Sequence, residues 1–356
     1  MSNYHEQVKR EGIKRLRSIL AELPPFTEDF FLGISERTAI RTRLGYALDL
    51  KIFFSFLTQE GRKLEGMEIK KIRALDLAEV NANDIRRYLE YVTYYTRNIS
   101  TPTNREVSIE AYNEEQGKAR KLSAVRRLFE FLYKGGLLAA NPAELVDSPK
   151  IHRKNITYLQ ADEVAKLLDE VETGAQLKSR QAVAYHAVNR LRDVAIITMF
   201  LGTGMRVSEL VGINVEHIDF NTNAIVVVRK GGNQDAIFFG DEVRVALEAY
   251  IPKREGICAA QGHEGALFLS TQRKRIGVRA VQNLVKKYAK IVTPLKNITP
   301  HKLRSTYGTA LYNETGDIYL VAEVLGHADV NTTRRHYASM PMERRRKAAD
   351  IVKLRE

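Results

Sequence analysis

The chain runs to 356 residues, with 56 Lys and Arg against 43 Asp and Glu, a formal charge of +13 and an isoelectric point near 9.6. A hydrophobic fraction of 44% and a mean hydropathy of −0.30 describe a globular chain able to bury a core, and the length suggests two domains or three. The positive balance points to a polyanionic partner, the single cysteine, Cys258, excludes an internal disulfide and a multi-cysteine metal site, and the lack of Trp argues against a stacking-dominated binder of single strands.

Met1 to Glu6 lacks the basic-then-apolar plan of a secretory signal. The longest nearly uncharged apolar run, Val194 to Leu201, is far short of the ~20 residues a membrane span needs. The expectation is a soluble, cytoplasmic protein that does not contact a membrane.

Charge divides unevenly: residues 1–150 carry 25 basic and 21 acidic residues, and residues 151–356 carry 31 and 22. The first third reads as helices. Tyr4 to Leu23 is amphipathic and is stopped by Pro24-Pro25. Ser35 is placed to cap a long helix reaching about Gln59, with Leu44, Leu48, Ile52 and Phe56 recurring on one face. Asn83-Asp84 opens another helix through Ile85, Tyr88, Leu89 and Val92. Gly117 to Lys134 spaces Leu122, Val125, Leu128, Phe129 and Leu132 for one helix face and shows Lys118, Arg120, Lys121, Arg126 and Arg127 elsewhere. Such a stripe is either a solvated face or a contact to a nucleic-acid backbone.

Gly135-Gly136 ends that helix, and the Pro- and charge-containing stretch Asn141 to Asn155 suits a linker. The boundary is expected near residues 148–156, giving a helical domain over 1–150 and a second domain over 151–356. The second domain opens on a helix, Ala161 to Val171. Leu191 to Leu201 reads as a buried helix, broken by Gly202-Thr203-Gly204 before Val207 to Leu210 resumes a helical pattern. Ala224 to Arg229 and Ala236 to Phe239, joined by Lys230-Gly231-Gly232-Asn233, read as a β-hairpin. The remainder is mainly helical.

Phosphate-loop, dinucleotide and His-Glu-x-x-His motifs are all absent, and no acidic cluster stands out for a two-metal nuclease. Phosphate chemistry in this chain would therefore rest on its own cations. His301 and Arg304 lie three apart, just after the helix-start signal Thr299-Pro300, where first-turn N–H groups favour an anion. Gly326-His327 follows an apolar helix, and Tyr337 lies ten residues further on.

In order along the chain, Gly202-Thr203-Gly204-Met205-Arg206-Val207-Ser208-Glu209-Leu210, Lys230 in its hairpin, His301-x-x-Arg304, Leu325-Gly326-His327 and Tyr337 resemble the tyrosine recombinase (phage integrase) family. Tyr46-x-x-Asp49-Leu50-x-x-Phe53-x-x-Phe56-Leu57 and Asn141-Pro142-Ala143 resemble the helical DNA-clasping domain of the same family. Within it the chain is most similar to the bacterial Xer recombinases, of the single-protein XerS type. The His327–Tyr337 spacing is one residue longer than in many Xer proteins, and Asn98 to Gln116 and Gly174 to Asn189 look like insertions.

The resemblance implies a mainly α fold with a small β-hairpin in the C-terminal domain, and two domains that close on duplex DNA as a C. It further implies a homo-tetramer on two sites and no cofactor or metal. Tyr337 would be the nucleophile, giving a 3′-phosphotyrosyl link and a free 5′-hydroxyl. A tyrosine phenol has a pKa near 10, so about one in a thousand is ionised at pH 7 and needs activation. Arg206 and Arg304 would hold non-bridging oxygens with planar, permanently charged forks. Lys230 would protonate the leaving 5′-oxygen, His301 would act as general base or acid, and His327 would donate a hydrogen bond to the phosphate. Glu209 would orient, and Ala338 to Glu356 would pack on a neighbouring protomer.

The implied role is resolution of chromosome dimers at a dif-like site with an FtsK-type DNA translocase. Rival expectations are a mobile-element integrase, a type IB topoisomerase, and a DNA-binding regulator that keeps the fold without catalysis.

Overall fold

A computed structural model describes residues 4–100, 106–151, 156–229, 232–327 and 329–337, without the side chains of 97–100, 106, 332 and 335–337. Residues 2–153 form one compact unit, and the chain from residue 154 onward forms the other.

The first unit contains α1 (Tyr4–Leu20), α2 (Thr27–Gly33), α3 (Ile40–Leu57), α4 (Ala82–Tyr91), the strands β1 (Tyr94–Ser100) and β2 (Glu106–Tyr112), and α5 (Glu115–Lys134). Its core is aromatic. Phe53 of α3 packs edge-on against Tyr88 of α4 at 5.0 Å and against Phe129 of α5 at 6.2 Å, and burial of each such ring stabilises the unit by about 2–3 kcal/mol. The buried face of α3 is wider than expected: Phe56 is buried together with Ala47, Leu50, Phe53, Phe54 and Leu57, Leu44 and Ile52 are half-buried against the core, and Leu48 is 42% exposed. The second half of α3 is apolar almost all round, so its periodicity does not point in one direction. The α4 helix starts two residues earlier than its sequence signal, because Asn81 caps it and exchanges hydrogen bonds with Asp84 at N3.

An unforeseen element is the antiparallel ribbon β1–β2, paired from Tyr94 opposite Tyr112 to Ser100 opposite Glu106. It occupies most of the stretch read as an insertion, and Tyr94, Val107, Ile109 and Tyr112 on it are exposed.

The second unit contains α6 (Ala161–Thr173), α7 (Arg180–Thr203), α8 (Val207–Gly212), the antiparallel sheet of β3 (Ile218–Asp219), β4 (Ala224–Val228) and β5 (Gln234–Phe238), then α9 (Asp241–Glu255), α10 (Val278–Val292), α11 (Pro300–Thr315), α12 (Ile318–Leu325) and α13 (Val330–Tyr337). The predominance of helix and the small hairpin match the sequence expectation. The α7 helix is longer than Leu191–Leu201 because Ser179 caps it by accepting from the Ala182 N–H. It crosses the middle of the unit, contacting α6, α9 and α11.

Two charged residues of α7 are buried with their partners. Arg192 donates to Asp193 at 3.0 and 2.7 Å and to the Leu269 carbonyl at 2.9 Å, and Tyr288 of α10 donates to Asp193 at 3.1 Å. Burial beside the Asp193 carboxylate pushes the Tyr288 phenol well above its ordinary pKa, so it remains a donor. Cys258 lies exposed in the segment after α9. Among the described residues, no helix is long and apolar enough to cross a membrane.

Candidate active site

The local sequence explains how Arg206 is aimed. Gly204 ends α7 in the left-handed conformation, with φ of 62°. A Cβ there would also collide with the side chains of Tyr307 and Leu325. Met205 is buried, and Arg206 becomes the N-cap of α8. Its N–H donates to Glu209 Oε2 at 2.7 Å and its Nη1 to Glu209 Oε1 at 2.8 Å. Glu209 is buried, with its side chain 2% exposed, and the Arg206 side chain is one-third exposed. A buried carboxylate thus holds one end of the guanidinium, while the other end, Nη2, donates to the Gly326 carbonyl at 2.8 Å.

Arg304 reaches the same place from α11. Pro300 occupies the first turn of that helix, where its fixed φ and missing N–H are tolerated. His301 follows and is exposed, whereas Arg304, one turn on, is 3% exposed. Arg304 Nη1 donates to the Gly204 carbonyl at 2.8 Å and Nη2 donates to the Leu325 carbonyl. Tyr307, next along α11, has its phenol pushed up by burial, which keeps it protonated.

Both arginines therefore meet at the end of α12. That end is a Schellman turn: Gly326 is left-handed with φ of 59°, its N–H returns to the Glu323 carbonyl at 2.8 Å, and the His327 N–H returns to the Ala322 carbonyl at 2.9 Å. The remaining carbonyls of the last turn carry the negative end of the helix dipole and accept from the arginines. His327 emerges directly from this turn, and its Nδ1 lies 2.7 Å from Thr333 Oγ1 of α13. The α13 helix closes with Tyr337.

The structure thus brings Arg206, Glu209, Arg304 and the His327 turn together and places His301 on the helix that carries Arg304. Lys230 lies outside the described residues, as do the Tyr337 side chain and the segment Ala338 to Glu356. One residue passed over in the sequence is Arg229, which donates to Asp235 at 2.9 Å and lies 3.4 Å from Glu209 Oε1. Its only sequence signal was a cation ending a β-branched strand.

The basic residues of α5 lie in the other unit and are held differently from a bare stripe. Lys121 is drawn to the buried side, where it donates to Asn113 at 2.9 Å and lies 3.9 Å from Asp49. Arg120 pairs with Asp49, Lys118 with Glu115 at 2.8 Å, and Arg127 with Glu130 at 2.7 Å. Arg126 donates to the carbonyls of Ala143 and Val146 and to Ser148 Oγ, tying down the segment after α5. Among the described residues, no group of three or more His, Cys, Asp and Glu is arranged to hold a metal ion.

The phage integrase family model matches residues 157–344. The tyrosine recombinase XerC of Caldanaerobacter subterraneus subsp. tengcongensis is 31% identical over 341 residues, covering 92% of this chain and 86% of the relative. A similar fold occurs in the XerH site-specific recombinase bound to its difH substrate, with a TM-score of 0.60 at 20% identity over 89% of this chain and 81% of that one. It also occurs in the Tn1549 transposon integrase bound to circular intermediate DNA, with a TM-score of 0.61 at 18% identity over 91% and 98%. With more than half of the chain matched by the family model and a relative above 30% identity along nearly all of it, the protein belongs to the phage integrase family of tyrosine recombinases.

Proposed function

We propose that this recombinase cuts and rejoins duplex DNA at a specific site through a 3′-phosphotyrosyl intermediate, exchanges strands through a Holliday junction, and serves to resolve chromosome dimers at a dif-like site. The observation that carries the chemistry is the convergence of Arg206 and Arg304 on the turn that presents His327, one short helix before Tyr337. Two guanidiniums oriented there in advance supply charge where a phosphorane would develop it, without reorganisation during the reaction.

In this reading Tyr337 Oη attacks the scissile phosphorus and its proton passes to His301. The P–O5′ bond breaks, and the leaving oxygen takes a proton from Lys230. Arg206, Arg304 and His327 hold the non-bridging oxygens. The phosphotyrosyl bond conserves the energy of the broken bond, so the reverse attack by a 5′-hydroxyl reseals the strand. The domains proposed are 1–150 for DNA binding and 151–356 for catalysis, closing on the duplex as a C and working as a tetramer on two sites. The XerC relative supports an Xer-type recombinase; the chromosomal role and an FtsK-type translocase as partner belong to the proposal.

The test is a nicked suicide site, from which the downstream strand is lost after cleavage so that the adduct accumulates. Wild-type protein is expected to form a covalent complex that survives denaturing electrophoresis, and Tyr337→Phe none. An adduct with Tyr337→Phe, or none with wild type, overturns the mechanism. Recombination of two dif-like sites then separates dimer resolution from the integrase reading, and single-plasmid relaxation without exchange marks a topoisomerase.

A further inference from the structure

We propose that Arg229 is a positioning residue for the recombination chemistry: it fixes Glu209 and the end of α12, and through them the guanidinium of Arg206. This rests on the reading of Arg206 as a phosphate-holding residue. Arg229 follows β4, and its backbone is anchored in the hairpin, its N–H donating to the Asn233 carbonyl at 2.8 Å and its carbonyl accepting from Gly232 at 3.1 Å. Its side chain leaves the hairpin and enters the site, where it is only 12% exposed.

There it reaches three elements. Nε donates to Asp235 on β5 at 2.9 Å. Nη1 lies 3.4 Å from Glu209 Oε1, the oxygen that also accepts from Arg206. Nη1 and Nη2 lie 3.4 and 3.5 Å from the carbonyls of Leu325 and Val324. These last contacts are long for hydrogen bonds, so their effect is that of a charge set against a carboxylate and a helix terminus. The fit is also steric: a Cβ on Gly326 would come within 2.7 Å of Arg229 Cζ. The glycine that forms the Schellman turn is the residue that admits this side chain.

The charge balance gives Arg229 its consequence. Arg206 and Glu209 alone form a neutral pair, with the carboxylate 2% exposed. A second guanidinium on the same carboxylate oxygen restores a positive charge to the buried group. Asp235, the other anion on Arg229, is half exposed and is screened by solvent. Arg229 thereby helps to fix the Glu209 oxygen that Arg206 also holds, and leaves Arg206 oriented but not cancelled.

The experiment measures single-turnover adduct formation on the nicked suicide site, with affinity for uncleaved DNA and thermal melting followed in parallel. Arg229→Ala is expected to slow adduct formation about 100-fold, the scale of a small misplacement of a catalytic group, with DNA affinity within about twofold. Arg229→Lys, which keeps the charge and loses the fork, is expected to recover about tenfold of that loss. In a Glu209→Gln background, Arg229→Ala should cost about tenfold or less, well short of its effect in wild type, because part of its hold on Arg206 runs through Glu209. A wild-type rate for Arg229→Ala, or a full additional loss on top of Glu209→Gln, overturns the proposal. If Arg229→Ala fails to fold, Arg229→Lys carries the same two criteria. Wild-type protein that forms no adduct defeats the proposed function itself, whatever the Arg229 variants do.

Discussion

The basic side chains of α5 and those around α12 are similar in kind and opposite in what holds them. On α5, carboxylates take most of the cations: Glu115, Asp49 and Glu130 face Lys118, Arg120, Lys121 and Arg127, while Arg126 turns to the backbone carbonyls of Ala143 and Val146. Around α12, backbone carbonyls of Gly204, Leu325 and Gly326 take most of the donors of Arg206 and Arg304, and Glu209 is the one buried anion described there. A carbonyl orients a guanidinium without cancelling its charge, whereas a carboxylate does both. Counting Lys and Arg along a helix therefore overstates its field, and a modest number of carbonyl-held arginines makes a stronger anion site.

The sharpest way to break this contrast is Arg304→Lys. An ammonium on a flexible stem cannot span the Gly204 and Leu325 carbonyls as a planar fork. Single-turnover adduct formation should fall at least about 100-fold, and a rate within about tenfold of wild type would end the distinction. A smaller effect separates members of α5. Arg127→Ala, half exposed, should lower the slope of log affinity against log salt by about 1. Lys121→Met, at 3% exposure, should leave the slope unchanged. Equal shifts would mean that both charges reach DNA alike.

The smallest effect concerns Asp49. Burial raises its carboxyl above the ordinary value of 3.8, although Arg120 and Lys121 pull it down. The folded chain thus holds this proton more tightly than the unfolded one. The resulting stability is complete below about pH 3.8 and is lost as pH rises through the folded value. Relative to Asp49→Asn, the unfolding free energy of wild type, followed by thermal melting, should fall as pH rises above that point, by less than about 1.4 kcal/mol per pH unit. Parallel pH profiles for the two proteins would remove the burial effect.

Helix α5 and the hairpin β4–β5 were legible because their apolar spacing and turn residues agree with their final environment. The ribbon β1–β2 was not. Its segment has mixed polarity, with apolar side chains such as Tyr94, Ile109 and Tyr112 left exposed, so it shows no half-buried alternation. The first half of α7 was missed because its buried polar residues, among them His186 and Asn189, resemble a loop until their partners are known. At the site, Arg206 and Arg304 stood out through motif order, but their carbonyl acceptors carry no side-chain signature. Arg229 escaped notice because its meaning depends on Glu209 and Gly326, twenty and ninety-seven positions away in the chain.

Cys258 has a practical corollary. It is the sole thiol among 356 residues and stands exposed beyond α9. A maleimide dye will load at one per chain and report from one known position in the catalytic unit. Any disulfide the protein forms with itself must join two molecules, so a non-reducing gel distinguishes oxidised pairs from assembly on DNA.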